Sequence, residues 1–361
     1  MLPVTAPSGR RPPPPNRQGG SWLTVLLALL LIILLMAAGV ALFARYQLSP
    51  VSNQSTPTEF EVMPGWGASR TARELEAQGL IRNARIFTLW LRFQDLDRSI
   101  GEGLFDLDPA MSTQELAASL ARGGRPRTVR VVIPEGFRAR DIATRLAEAG
   151  LGSREAFLEI IDAPGELRPP YLPTDAGLEG YLFPASYDVP VKSTPEEIIG
   201  QLLRRFDQEI TATTTAALQA RNLSVQAWVT LASIIQAEAG NEEEMPIIAG
   251  VFLNRLELGM PLQSDPTVAY GLGKDLPELS AVAGDFERDH PWNTYTRPGL
   301  PKGPIDNPGA HALQAVLEPN RRNDRGEDYL YFLHGLDNGQ PVFRPNVSLE
   351  GHNEDVRRYL R

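Results

Sequence analysis

The chain has 361 residues, 42% of them hydrophobic, with a net charge of -9 and no cysteine, which is enough length for two or three domains and for a sizeable core. The missing cysteines exclude disulfides, a thiolate nucleophile and a zinc-cysteine site, and the four histidines, His290, His311, His334 and His352, are too widely separated for a close-spaced ligand motif. An acidic balance with no Lys/Arg cluster beyond the first segment argues against nucleic acid as a partner, and neither a metal nor a cofactor is expected.

In chain order, residues 1–21 are rich in Pro, Gly and Arg and contain no acid, so a disordered cytoplasmic tail is expected there. Residues 22–46, WLTVLLALLLIILLMAAGVALFARY, form an almost unbroken apolar run long enough for one transmembrane helix. Arg10, Arg11 and Arg17 precede it, and the positive-inside rule keeps that end in the cytoplasm. Everything after about Gln47 is then extracytoplasmic. A cleaved signal peptide, with small residues near Ala38 and Ala41, is the competing reading, although the run is longer than a usual signal-peptide core.

A linker is expected over 47–58, followed by an internal echo. The stretch from Phe60 and the stretch from Val129 share one plan: apolar strand, Pro, Gly, amphipathic helix, Gly-Leu, second short helix. Val62, Pro64, Leu75, Gly79 and Leu80 correspond to Val132, Pro134, Leu146, Gly150 and Leu151, the pattern of a duplicated unit. Between the copies lie a strand and a helix opened by Ser112, with Glu115 at capping-box spacing. Residues 59–165 are therefore expected to form a small αβ lobe. Its second copy resembles the LysM family of glycan-binding units in its strand-helix-helix order; a lobe that merely supports the next domain is the alternative.

Residues 166–361 are expected to be mostly helical with short strands, making the whole chain α+β. The aromatic run EGYLFPASY, residues 179–187, cannot be a regular helix, so its rings are packed under a loop or line a cleft. Thr194 caps a helix that begins at Pro195, Ser224 opens another, and Asn241 with the acids that follow marks the start of the next, which stops at Gly259. DYLYFLHG and QPVFRPN alternate apolar and polar positions and are expected to be paired strands.

One carboxylate stands out. In LASIIQAEAG, residues 231–240, Leu231, Ile234 and Ile235 share a helical face with Glu238, whereas Gln236 points elsewhere. An inward carboxyl in apolar surroundings keeps its proton at neutral pH, and a helix end near Gly240 favours the neutral form further. A general acid is made in this way; a partly exposed glutamate in a last helical turn is the plainer alternative. Asn254, Gln263, Asp265, Thr267, Tyr270, Asn293 and Tyr295 are further candidates for a cleft that contacts sugar, each with an ordinary role as turn former, cap or bridge beside it.

Three segments together carry a family resemblance: LASIIQAEAGNEEEMPIIAGVFLNRLELGMPLQSDPTVAYGLG (231–273), EGYLFPASY, and WNTYTRPGLPKGPIDNPGAHALQAVLEP (292–319). They resemble the YceG-like family of endolytic murein transglycosylases. The resemblance implies a single-pass inner-membrane protein that cuts nascent peptidoglycan glycan strands between N-acetylmuramic acid and N-acetylglucosamine. It also implies 1,6-anhydro ends, Glu238 as acid and then base, a YceG-like catalytic domain over 166–361, and peptidoglycan synthases as candidate partners. Many relatives have Glu where this chain has Gln236, which puts in doubt a supporting role for that neighbour. A glycan-binding scaffold without activity and a muramidase-type hydrolase using Glu238 with Asp265 are the competing functions.

Overall fold

The computed structural model describes residues 21–360; apart from Ser21, the tail expected to be disordered lies outside them. Among the described residues the chain is mixed α and β, mostly helical, with short two-stranded antiparallel sheets. Packing divides it into two compact units, one ending at Arg127 and one starting at Thr128.

The first unit begins with α1 (Ser21–Gln47), about 40 Å long at 1.5 Å per residue and so able to span a hydrocarbon core of about 30 Å. Its Leu, Ile and Val side chains point outward with no protein covering them. The segment expected as a linker is not loose. Thr113 Oγ1 donates to the Leu48 carbonyl, Arg82 Nη2 to the Pro50 carbonyl at 2.7 Å, and Val51 N to the Pro109 carbonyl at 2.9 Å. Then follow β1 (Thr58–Val62), α2 (Ala68–Ala77), α3 (Ala84–Phe93), β2 (Gly103–Leu107) and α4 (Thr113–Arg122). Phe60, Leu75, Phe87, Leu91, Phe105 and Leu120 form the core of this unit. The capping box at Ser112 and Glu115 is present at the start of α4.

The second unit opens with β3 (Thr128–Val132), α5 (Ala139–Glu148), α6 (Arg154–Asp162) and β4 (Ser186–Pro190). The duplication is visible in backbone detail. Gly79 and Gly150 end α2 and α5 at φ of 70° and 74°, and Leu80 and Leu151 donate back to the carbonyls of Leu75 and Leu146 at 2.8 and 3.2 Å, a Schellman closure that needs glycine at the left-handed position. In each copy the first strand pairs antiparallel with the strand that follows the second helix.

The two copies nevertheless do not share a core. Val131, Ile142, Leu146 and Phe157 pack in one cluster with Ile199, Trp228, Leu231 and Ile234. The packing boundary therefore lies at 127/128, where the sequence led us to expect one lobe over 59–165. The physical reason is burial: the apolar face of the second copy is covered by the helices that follow it.

Those helices are α7 (Pro195–Asp207), α8 (Ala212–Ala220), α9 (Val225–Glu238), α10 (Met245–Glu257), α11 (Asp265–Leu272) and α12 (Ala310–Leu317). Thr194 and Ser224 cap α7 and α9 as expected. Residues 228–235 are buried without interruption, which makes α9 the central helix, covered on all sides along that run, with α10 and α12 against it. Asn241 does not start α10. Its side-chain oxygen accepts the N–H groups of Glu243 and Glu244, forming a local turn, and α10 begins at Met245. β5 (Tyr331–Asp337) and β6 (Gln340–Asn346) form a hairpin over Asn338 and Gly339, both at positive φ, the turn chemistry such a loop demands. α13 (Leu349–Tyr359) closes the chain against β5.

Candidate active site

α9 ends at Glu238, because Ala239 leaves the helix with extended backbone. The last turn thus delivers a half-buried carboxyl to the wall of a groove of about 600 Å³. Burial pushes the Glu238 carboxyl up to about 7; the charge of Asp265 adds to the rise, while the Ser264 hydroxyl and the Arg255 charge oppose it. Ser264 Oγ donates to Glu238 Oε1 at 2.6 Å. Close to neutrality this group is therefore divided between acid and carboxylate, a state suited to both giving and taking a proton.

Four of the expected residues share this groove: Glu238, Gln263, Asp265 and Tyr295. Asp265, exposed at the start of α11, accepts the Tyr295 hydroxyl at 2.5 Å. Gln263 sits at a left-handed φ of 54°, and its N–H is held by the Thr294 carbonyl at 3.1 Å.

The other expected residues lie elsewhere. Asn254 is 2% exposed and fully engaged: Nδ2 donates to the carbonyls of Arg321 and Tyr329, and Oδ1 accepts from Arg321 Nε. Thr267 is buried, with its hydroxyl donating to the Ser264 carbonyl at 2.6 Å. Asn293 is also buried and knots its own loop, donating to the carbonyls of Phe286 and Arg288 and accepting the N–H of Tyr295. Tyr270 lines a different cavity, its hydroxyl 3.3 Å from Glu179 Oε2 and its ring 5.4 Å from that of Trp292.

Two contributors were not foreseen. Arg255, on α10, is 7% exposed; its guanidinium donates to the carbonyls of Leu330 and Leu262 at 2.7 and 2.8 Å and to Gln263 Oε1 at 3.4 Å, so it fixes one wall while placing a positive charge near Glu238. The usable signal was a charge interrupting the α10 apolar stripe, the same signal that revealed Glu238. Ser264 is the other. Tyr331 and His334 of β5 and His352 of α13 also line the groove, a consequence of chain return that spacing does not encode.

The run 179–187 has a structural role. Tyr181, Phe183 and Tyr187 are packed in the core, and Glu179 Oε1 accepts from Ala139 N at 2.8 Å and Asn307 Nδ2 at 2.9 Å. Burial pushes Glu179 up to about 7 and raises the neighbouring Asp306 well above the usual carboxylate range. Gln236 is half-buried on another face of α9, and its Oε1 accepts the Gly309 N–H at 2.9 Å.

Comparison with known proteins adds a family. Residues 60–358 match the model of the YceG-like family. The chain is 30% identical over 313 residues to a Streptococcus pneumoniae protein named endolytic murein transglycosylase, covering 79% of this chain and 55% of that protein; it thus spans about half the length of that relative. A Bacillus subtilis protein of the same name is 29% identical over 337 residues, with 89% and 90% covered. Among solved structures, a YceG-like protein from Listeria monocytogenes superposes with a TM-score of 0.53 at 30% identity, covering 82% of this chain and 98% of that one.

Proposed function

This chain belongs to the YceG-like family, and from that premise we propose that it is a membrane-anchored, endolytic peptidoglycan lytic transglycosylase with Glu238 as general acid and then general base. The observation that carries the reading is a carboxyl held near neutrality on a groove wall by burial, supported by relatives named endolytic murein transglycosylase. The proton of Glu238 passes to the glycosidic oxygen as the bond to the anomeric carbon of N-acetylmuramic acid breaks and positive charge builds there. The C6 hydroxyl of the same sugar attacks that carbon and gives its proton to the Glu238 carboxylate. A 1,6-anhydro end forms, the acid is restored, and a single carboxyl serves both steps.

The long apolar α1 supports anchoring, with the domains after it extracytoplasmic. The βααβ order of the duplicated unit supports a LysM-like role in holding glycan. Asp265, exposed in the same groove, favours one competitor, a hydrolase in which it activates water.

Purified sacculi digested with the full-length protein test these readings. Parental enzyme is expected to release anhydro-ended fragments, and Glu238→Gln is expected to lower the rate by at least about 100-fold while folding normally. Parental release by Glu238→Gln removes Glu238 from the acid role. Products heavier by one water establish hydrolysis, and bound glycan with no new ends establishes a scaffold.

A further inference from the structure

Ser264 occupies the N-cap of α11, where a serine hydroxyl ordinarily accepts a backbone N–H of the first turn. Ser112, Ser153, Thr194, Thr211, Ser224 and Ser348 do so before their own helices. Ser264 makes no cap bond with its side chain. Its hydroxyl is spent on Glu238 Oε1 instead, and Pro266, which has no N–H to satisfy, stands in the first turn. A local preference is broken where the groove begins, the usual mark of a residue placed for function.

The backbone of Ser264 is fixed by a closed ring of hydrogen bonds. Ser264 N donates to Thr294 Oγ1 at 2.9 Å, and Thr267 Oγ1 donates to Ser264 O at 2.6 Å. The 2.8 Å contact between the two threonine hydroxyls must then run from Thr294 to Thr267. Ser264 is 1% exposed, so its hydroxyl has few other places to point. The buried Thr267 and the 292–295 turn thereby act on Glu238 through one serine.

We infer that Ser264 is a positioning residue that grips Glu238 through Oε1 and assigns the transferable proton to Oε2. The inference rests on the acid role of Glu238. An oxygen that accepts from a hydroxyl is the carbonyl-like one, so the acidic hydrogen sits on its partner. When that hydrogen leaves with the glycosidic oxygen, the Ser264 bond becomes charge-assisted and strengthens, stabilising the carboxylate that must next accept the C6 hydroxyl proton. Ser264 remains a donor throughout and itself loses nothing.

The test uses full-length Ser264→Ala and Ser264→Cys, the latter nearly the same shape with a weaker donor, assayed on sacculi across pH with the melting temperature measured in parallel. Ser264→Ala is expected to lose roughly 10- to 100-fold in kcat with KM within about twofold. Its alkaline activity limit should move to higher pH because a bond favouring the carboxylate is gone, and Ser264→Cys should fall between. The melting temperature should fall by a few degrees at most, since one hydrogen bond but no helix cap is removed. Parental kcat and pH profile in both variants overturn the inference, as does a lowered melting temperature with an unshifted profile. If Glu238→Gln is inactive while Ser264→Ala matches the parent, only the role of Ser264 fails; parental activity of Glu238→Gln removes the reading beneath it.

Discussion

In the proposed mechanism Glu238 is useful because one set of effects outweighs the other and leaves its carboxyl near neutrality. Burial and the charge of Asp265 favour the acid, while the Ser264 hydroxyl and the Arg255 guanidinium favour the carboxylate. A group that donates in one step and accepts in the next gains from lying near the working pH. The sign for activity follows: the first step of the proposed mechanism needs the protonated form, so kcat/KM on sacculi should fall as pH rises through about 7. A rate that stays flat from pH 6 to about 9 would mean that another group supplies the proton. Glu238 could be read from spacing because its apolar neighbours lie within its own helix. The surroundings of Asn254, Thr267 and Asn293 could not. Each is a polar residue of a kind that binds sugars, yet carbonyls of residues such as Arg321 and Tyr329 consume the donors of Asn254, and those partners are remote in sequence.

At the scale of elements, the duplicated βααβ unit makes a prediction of its own. Gly79 and Gly150 close equivalent helices at nearly equal positive φ, and nothing lies within 4 Å of a Cβ added at either position. The cost of Gly79→Ala and of Gly150→Ala is then backbone strain alone, about 1 to 2 kcal/mol each. Chemical denaturation should show similar losses for the two variants. A large loss for one and none for the other would indicate that the echo is not structurally equivalent. Elements of this kind were legible because caps, Pro at helix starts and Gly at helix ends are local rules. The start of α10 departed from expectation for an equally local reason, since the Asn241 side chain satisfies the N–H groups ahead of the helix.

Across the whole molecule, buried carboxyls set the dependence of stability on pH. Glu179 and Glu238 rise from an ordinary 4.5 to about 7 when folded, and Asp306 is raised well above its ordinary value. A raised folded value means stability that is complete below the unfolded value and lost as pH climbs through the folded one. Each of the two glutamates therefore accounts for at most about 3 kcal/mol of loss by alkaline pH. On the acid side, the Lys274 ammonium, 2.6 Å from the fully buried Asp285, holds that carboxyl below the usual range, so its contribution is lost as pH falls. The melting temperature of the full chain should peak in mildly acidic solution, near about pH 5, and Glu179→Gln should flatten the decline toward pH 8. A melting temperature that climbs steadily from pH 5 to 8 would contradict the assignment of these carboxyls.

The sequence by itself determined the long apolar first helix, the mixed and mostly helical class, the duplicated unit, most caps, the terminal hairpin and the carboxyl at the end of α9. All of these depend on residues within a few positions of one another, which is the range over which helical and strand periodicity and turn chemistry act. Tertiary structure alone decided that the second repeat joins the core of α9 and that Arg255 and Ser264 converge on Glu238. It alone also separated polar residues that line the groove from those that tie loops together. These outcomes depend on which distant backbone groups need partners and which apolar faces remain uncovered, and only the folded chain brings those groups within reach.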